Sequence, residues 1–311
     1  MKKIPVGATI AHAYRFAFFD FFKILGVMWL PMAIMWLPGL LMKPQLMALS
    51  AQMGARNLSG FREMLWFLVP FYLVALIFAF MQFIGIAQLA LGRRSGPAWF
   101  YFSLGKPVWR LIGSFLLFIL AFIIGWLAAL LGDLLIGYLL KLLVGTIDNK
   151  AVATILGFLT VIVLIAPWCA LLYCAVRLSF LLVPVVAAEE DGSALARGWT
   201  LGLGNFWRMF AILLVILVPF LVLEFGFLFG VMFKGISFPP PHAPAEQMAA
   251  FQAAMNARAL EMMNTMYHYW YISYPIAIAV FVVFYGASVG AQCFAYRALT
   301  EGENSAPVAG N

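Results

Sequence analysis

The sequence predicts an all-α, polytopic transmembrane helical bundle, and three observations carry that prediction. Of its 311 residues 65% are hydrophobic and only 10% charged, with a mean hydropathy of +1.01, whereas soluble domains carry about 25% charged residues. Six apolar runs of at least 19 residues carry almost no charge, and about 20 such residues cross a bilayer core. The polar residues collect between these runs, and no stretch free of them is long enough to hold a core of its own. The chain therefore reads as one membrane-embedded domain, 1–311, with six spans at about 24–42, 64–92, 111–140, 151–176, 209–233 and 270–296.

Taken in order, residues 8–22 place Ile10, Tyr14, Ala17, Phe18 and Phe21 on one helical face and Thr9, His12, Arg15 and Asp20 on the other. That pattern predicts an interfacial helix lying along the membrane. Lys23 closes it, and the first span follows, its Pro31 and Pro38 bending the helix without ending it, since lipid offers the backbone no other partner. Residues 43–63 form a polar connector, with Pro44 at a helix start and Leu46, Leu49 and Met53 at helical spacing.

The second span ends at Arg93 and Arg94, and the passage after it carries Trp99, Tyr101 and Trp109, which suit a headgroup layer, beside Lys106 and Arg110. Lys141, Asp148 and Lys150 mark a short turn between the third and fourth spans. Beyond the fifth, the FPPPHAP knot at 238–244 halts any helix, because consecutive prolines lack N–H donors. Residues 245–267 then set Phe251, Met255, Ala259, Met262 and Met266 on one stripe, with Gln252, Asn256 and Glu261 off it, as a surface helix does. Trp270, Tyr271 and Tyr274 open the sixth span.

The formal charge of +7 does not point to nucleic acid, because the basic residues sit at the ends of apolar runs, where they orient helices and meet anionic headgroups. Twelve of the nineteen, Arg177, Arg197, Arg208 and Arg297 among them, fall on the side of the N-terminus. The positive-inside rule then puts both termini in the cytoplasm, and the expected location is a bacterial inner membrane. Lys2 and Lys3 precede no clean apolar h-region, so no signal peptide is expected. Cys169, Cys174 and Cys293 lie in apolar segments without the paired spacing of a zinc or redox motif and read as packing residues. His12, His242 and His268 lie in three separate surface segments, so no catalytic, cofactor or metal set is expected.

Phe22-Lys23, Trp109-Arg110 and Trp207-Arg208 each join an aromatic to a cation just before an outward span, and AQLALGR at 87–93 matches AQCFAYR at 291–297 in spacing. Three surface-helix-plus-hairpin repeats are one reading. General membrane grammar at helix ends is the other.

The stretch 177–208 is the most polar passage between two apolar runs and holds three adjacent acids. Asp191 or Ser193 can cap a helix over 194–203, Glu189 and Glu190 complement its dipole, and Gly204-Asn205 supply the stop. Arg177 and Arg197 can pair with those acids or meet lipid phosphate. Glu224 is expected to be neutral, paired or in a wet cavity, because a charge at mid-span costs roughly 2.5 to 3.5 kcal/mol on insertion scales. Gly226-xxx-Gly230 and Gly286-xxx-Gly290 allow close helix contact, with packing inside the bundle expected over a dimer face. Asp133 falls near the outer interface and is assigned no role.

Arg177-Leu178-Ser179, Pro184, Glu189 or Glu190, Gly192, Ala194, Arg197, Trp199, Gly204 and Trp207-Arg208 resemble the signature of a bacterial six-helix membrane family. That family is typified by the membrane domain fused to some glycerophosphoryl diester phosphodiesterases and includes stand-alone relatives. The likeness covers about residues 170–220, is looser at the N-terminus and at Tyr296-Arg297, and departs from the pattern at Gly198, where a Ser often follows the second Arg. It implies a membrane-embedded accessory or organising domain without the soluble phosphodiesterase barrel. The expected function is accordingly non-catalytic assistance in envelope or lipid metabolism, with the lipid bilayer, a membrane protein or anionic headgroups as partners. The alternative is a small transporter or channel for a lipid-like or small polar solute, with Gln82, Gln88, Glu224, Ser288 and Gln292 as the few polar candidates for a path.

Overall fold

The computed structural model describes residues 2–41, 59–94, 101–144, 150–232, 238–240, 242 and 244–301. All secondary structure among them is helical. The order is α1 (Val6–Phe19), α2 (Phe21–Leu41), α3 (Ser59–Ala90), α4 (Lys106–Val144), α5 (Lys150–Ser179), α6 (Leu182–Ala188), α7 (Ala194–Leu201), α8 (Phe206–Met232), α9 (Ala245–His268) and α10 (Trp270–Thr300). Five of these are long and apolar enough to cross a membrane, or six if the bent pair α1–α2 counts as one span. The protein is a polytopic helical membrane protein. The expected helix after Pro44, Trp99 and the turn at Asp148 lie outside the described residues.

The expected spans are found with shifted ends, because a helix does not stop where the hydrocarbon does. α4 runs through 39 residues, about 58 Å at 1.5 Å per residue. Pro31 and Pro38 sit inside a continuous α2, and Pro70, Pro167, Pro219 and Pro275 sit inside α3, α5, α8 and α10.

The chain forms two compact units. The first holds Met1–Thr9, Leu104–Ala211 and Gln292–Asn311. In it α4 packs along α5, and the short helices α6 and α7 pack at the base of that hairpin. The hairpin is apolar around its whole circumference and leaves Leu117, Leu120, Ile124, Phe158 and Ile162 exposed, as lipid-facing helices do. α6 is a correction to the polar picture of the central passage: Leu182, Pro184, Val185, Val186 and Ala187 are buried, so an apolar turn of helix is folded in before the acids begin.

The second unit holds Ile10–Ser103 and Ile212–Ala291. α1 meets α2 at a 71° bend, as an interfacial helix feeding a span would. Of the expected apolar face Ala17 is buried and Phe18 is 61% exposed, and Ala13 and Phe16, outside that face, are buried as well. Close helix approach selects small side chains, and the large apolar ones face lipid. A Cβ on Gly286 would stand 2.8 Å from Ile24 and 3.3 Å from the Ala17 Cα, and one on Gly290 would stand 3.6 Å from the Ala13 Cα. This glycine pair therefore packs inside the unit, as expected, whereas Gly226 and Gly230 meet nothing within 4 Å among the described residues. On α9 Gln252, Asn256 and Glu261 are exposed and the stripe of Phe251, Met255, Ala259 and Met262 is half-buried, matching the sequence pattern.

Candidate functional site

The polar centre of the first unit is the passage from the end of α5 to the first turn of α8. Ser193 caps α7, its hydroxyl accepting from the Ala196 N–H at 3.4 Å, and the helix ends at Gly202, slightly earlier than the expected Gly204. Gly192 has φ +83°, so the turn before the cap needs a residue without a Cβ.

That turn is held from a distance. Arg110, on the first turns of α4, donates to the carbonyls of Glu189, Asp191 (2.9 Å) and Gly192 (2.6 Å). Its planar fork suits three carbonyls in a bend. Lys106, one turn earlier, meets the Asp191 carboxylate at 3.3 Å, an exposed pair of little worth.

Arg197 is paired with Glu189, as the sequence allows, through Nε at 3.1 Å. The same carboxylate oxygen accepts from the Tyr296 hydroxyl at 2.9 Å, which ties the end of α10 to the connector. Arg177 pairs with none of the acids among the described residues. It is 3% exposed, donates to the Tyr173 hydroxyl (2.8 Å) and the Trp199 carbonyl (2.7 Å), and lies 3.6 Å from the centre of the Trp199 ring. A guanidinium suits such a site, being weakly hydrated and able to stack. Its Nε has no hydrogen-bond partner among the described residues. Glu190 is exposed.

The chain's start is bound to the same unit. Asn205, read from sequence as part of a helix stop, donates to the Lys2 carbonyl and accepts from the Ile4 N–H, both at 3.0 Å. Arg208 donates to the Ile4 carbonyl at 2.8 Å. Trp207 is 75% exposed. The roles of Arg110, Asn205 and Tyr296 were not legible beforehand, since their partners lie 79 to 203 positions away.

Glu224 is not part of this cluster. It belongs to the second unit, is exposed, and has no ion pair or hydrogen bond to another side chain among the described residues. It lies 18 residues after Phe206, about 27 Å along α8. Of the expected states, pairing is not seen among the described residues, and the carboxylate lies exposed on its unit. Asp133 gains a partner that its position did not suggest, accepting from Trp168 Nε1 at 2.7 Å. In the second unit Gln82 donates to the Met28 carbonyl (3.3 Å), and Gln88 accepts from the Tyr101 hydroxyl (3.4 Å). Both amides are thus engaged locally. Among the described residues no group of three or more His, Cys, Asp or Glu side chains is placed to hold a metal.

The chain matches no family model, no curated protein and no solved structure.

Proposed function

We propose that this multi-pass membrane protein resides in a bacterial inner membrane with both termini in the cytoplasm, and that it assists or organises a partner in envelope or lipid metabolism without catalysing a reaction. The reading joins the resemblance of the 177–208 stretch to the six-helix membrane family with one observation. Several charged groups of that stretch, together with Arg110 of α4, hold the chain together: Arg110 and Arg177 donate to backbone carbonyls, and Glu189 joins Arg197 to Tyr296. Such a knot supports a rigid platform at one membrane face.

The test is crosslinking in native membranes followed by affinity purification of the full chain. A reproducible membrane-protein partner, lost when Arg110 is replaced by Ala but retained with Lys106→Ala, is the expected result. Recovery of no partner above the background of an unrelated six-span protein would defeat it. The second reading, a transporter of lipid-like solutes, is favoured by one feature. The second unit holds an apolar groove of about 460 Å³ lined by Tyr14, Phe18, Ile216, Phe220 and Phe284. Solute uptake by proteoliposomes containing only this protein would decide for it.

A further inference from the structure

A second groove, of about 680 Å³, lies wholly within the first unit, between the end of α5 and the first turns of α8. Its walls include Cys169, Leu172 and Phe210, and its polar side carries Lys3 and Arg208. No acid lines it. Lys3 is exposed, and neither cation makes an ion pair among the described residues. The bond from Arg208 Nη1 to the Ile4 carbonyl fixes the guanidinium while leaving its other N–H groups open. The first intrahelical bonds of α8 come from Arg208 and Met209 to the Asn205 carbonyl. The N–H groups of Phe206 and Trp207 therefore have no carbonyl of their own helix to reach, and they add the positive end of the helix dipole to the two side-chain charges.

We infer that this groove binds an anionic phospholipid, its phosphate between Lys3 and Arg208 and an acyl chain along Leu172, Cys169 and Phe210. Three features select a lipid over a soluble phosphate compound. The apolar walls belong to two membrane-spanning helices, so they lie at acyl-chain depth. Cys169 is one helical turn beyond Tyr173, whose ring packs on Phe206 at 4.7 Å, so the groove continues from the charged mouth along the span. Trp207 stands exposed at that mouth, the depth at which an indole prefers to sit. The site requires only membrane residence and is independent of the proposed organising role.

The test uses the full-length protein in detergent micelles, with phosphatidylglycerol or phosphatidylcholine of identical acyl chains added, and retained lipid measured by native mass spectrometry. Phosphatidylglycerol is expected to be retained preferentially. Lys3→Gln should lower its apparent affinity about fivefold, the worth of one cation near an anionic lipid, and leave phosphatidylcholine unchanged. Lys23→Gln, which removes a cation outside the groove, should change neither. Leu172→Trp, which fills the apolar wall, should reduce retention of phosphatidylglycerol. Equal retention of the two lipids, or a phosphatidylglycerol preference untouched by Lys3→Gln or by Leu172→Trp, would overturn the assignment. Displacement of the lipid by millimolar glycerol phosphate would overturn it too, by showing a site for soluble phosphates.

Discussion

The hydroxyl of Tyr14 donates to the backbone carbonyl of Val215 at 3.2 Å, and Val215 is the residue four positions before Pro219 in α8. Proline has no N–H, so the helix cannot satisfy that carbonyl itself. In a membrane no water is at hand to do so, and a side chain of α1 supplies the donor. Tyr14→Phe should therefore lower stability by about 0.6 to 1 kcal/mol, the usual worth of such a bond in membrane proteins. In a Pro219→Ala background, where the helix regains its own donor, the same change should cost much less. A double-mutant cycle read by denaturant unfolding in micelles checks this, and equal costs in both backgrounds would refute it.

The two glycine pairs should respond oppositely to enlargement. Gly286→Leu drives a side chain into Ile24 and Ala17, an overpacking that costs roughly 1 to 3 kcal/mol. Gly226→Leu meets nothing within 4 Å among the described residues and should be tolerated. Detergent melting of the two variants against the parent protein separates them, and loss of folding in Gly226→Leu alone would show that the packed pair is misassigned.

Arg110 and Lys106 share a helix end but not a role. Arg110→Lys should destabilise the first unit by about 2 kcal/mol, since a compact ammonium lacks the planar fork that spans the three carbonyls. Lys106→Gln loses an ion pair whose side chains are 75% and 92% exposed, which is worth little. Protease susceptibility of residues 189–193 should rise in the first variant and stay at the parent level in the second.

Tyr101 offers a pH signature. Burial raises its phenol pKa, and the Ser103 hydrogen bond and nearby Arg94 only partly oppose that. A raised folded pKa means stability that is intact below the unfolded value near 10 and declines as pH climbs through the folded value. The protein should lose stability above pH 10 more steeply than its Tyr101→Phe variant. Parallel alkaline melting curves would contradict this.

Orientation can be tested with single cysteines at Glu190 and Gln252, both exposed, in a background with Cys169, Cys174 and Cys293 replaced. An impermeant thiol reagent added to intact cells should label position 252 and spare position 190 if both termini are cytoplasmic. Glu190 serves better than neighbouring Gly192, whose positive φ disfavours any side chain. Labelling of position 190 alone would invert the topology.

The sequence by itself determined the class of this protein and its long apolar helices, but not the short α6. A bilayer demands about 20 apolar residues per crossing and leaves the backbone no partner except its own helix, so crossings can be counted from residues in order. The Ser193 cap and the continuity of α2 through Pro31 and Pro38 are local for the same reason. Only the tertiary structure decided which faces meet and what the charges hold. In a span every face is apolar, so hydrophobic periodicity cannot mark the packed side. The fit of Ala13 and Ala17 against Gly290 and Gly286 does so instead. Arg110 reaches the turn at 189–192, Asn205 grips Lys2 and Ile4, and Tyr296 finds Glu189. Hydrogen bonds of that reach depend on where distant helices come to rest, and spacing along one chain does not encode it.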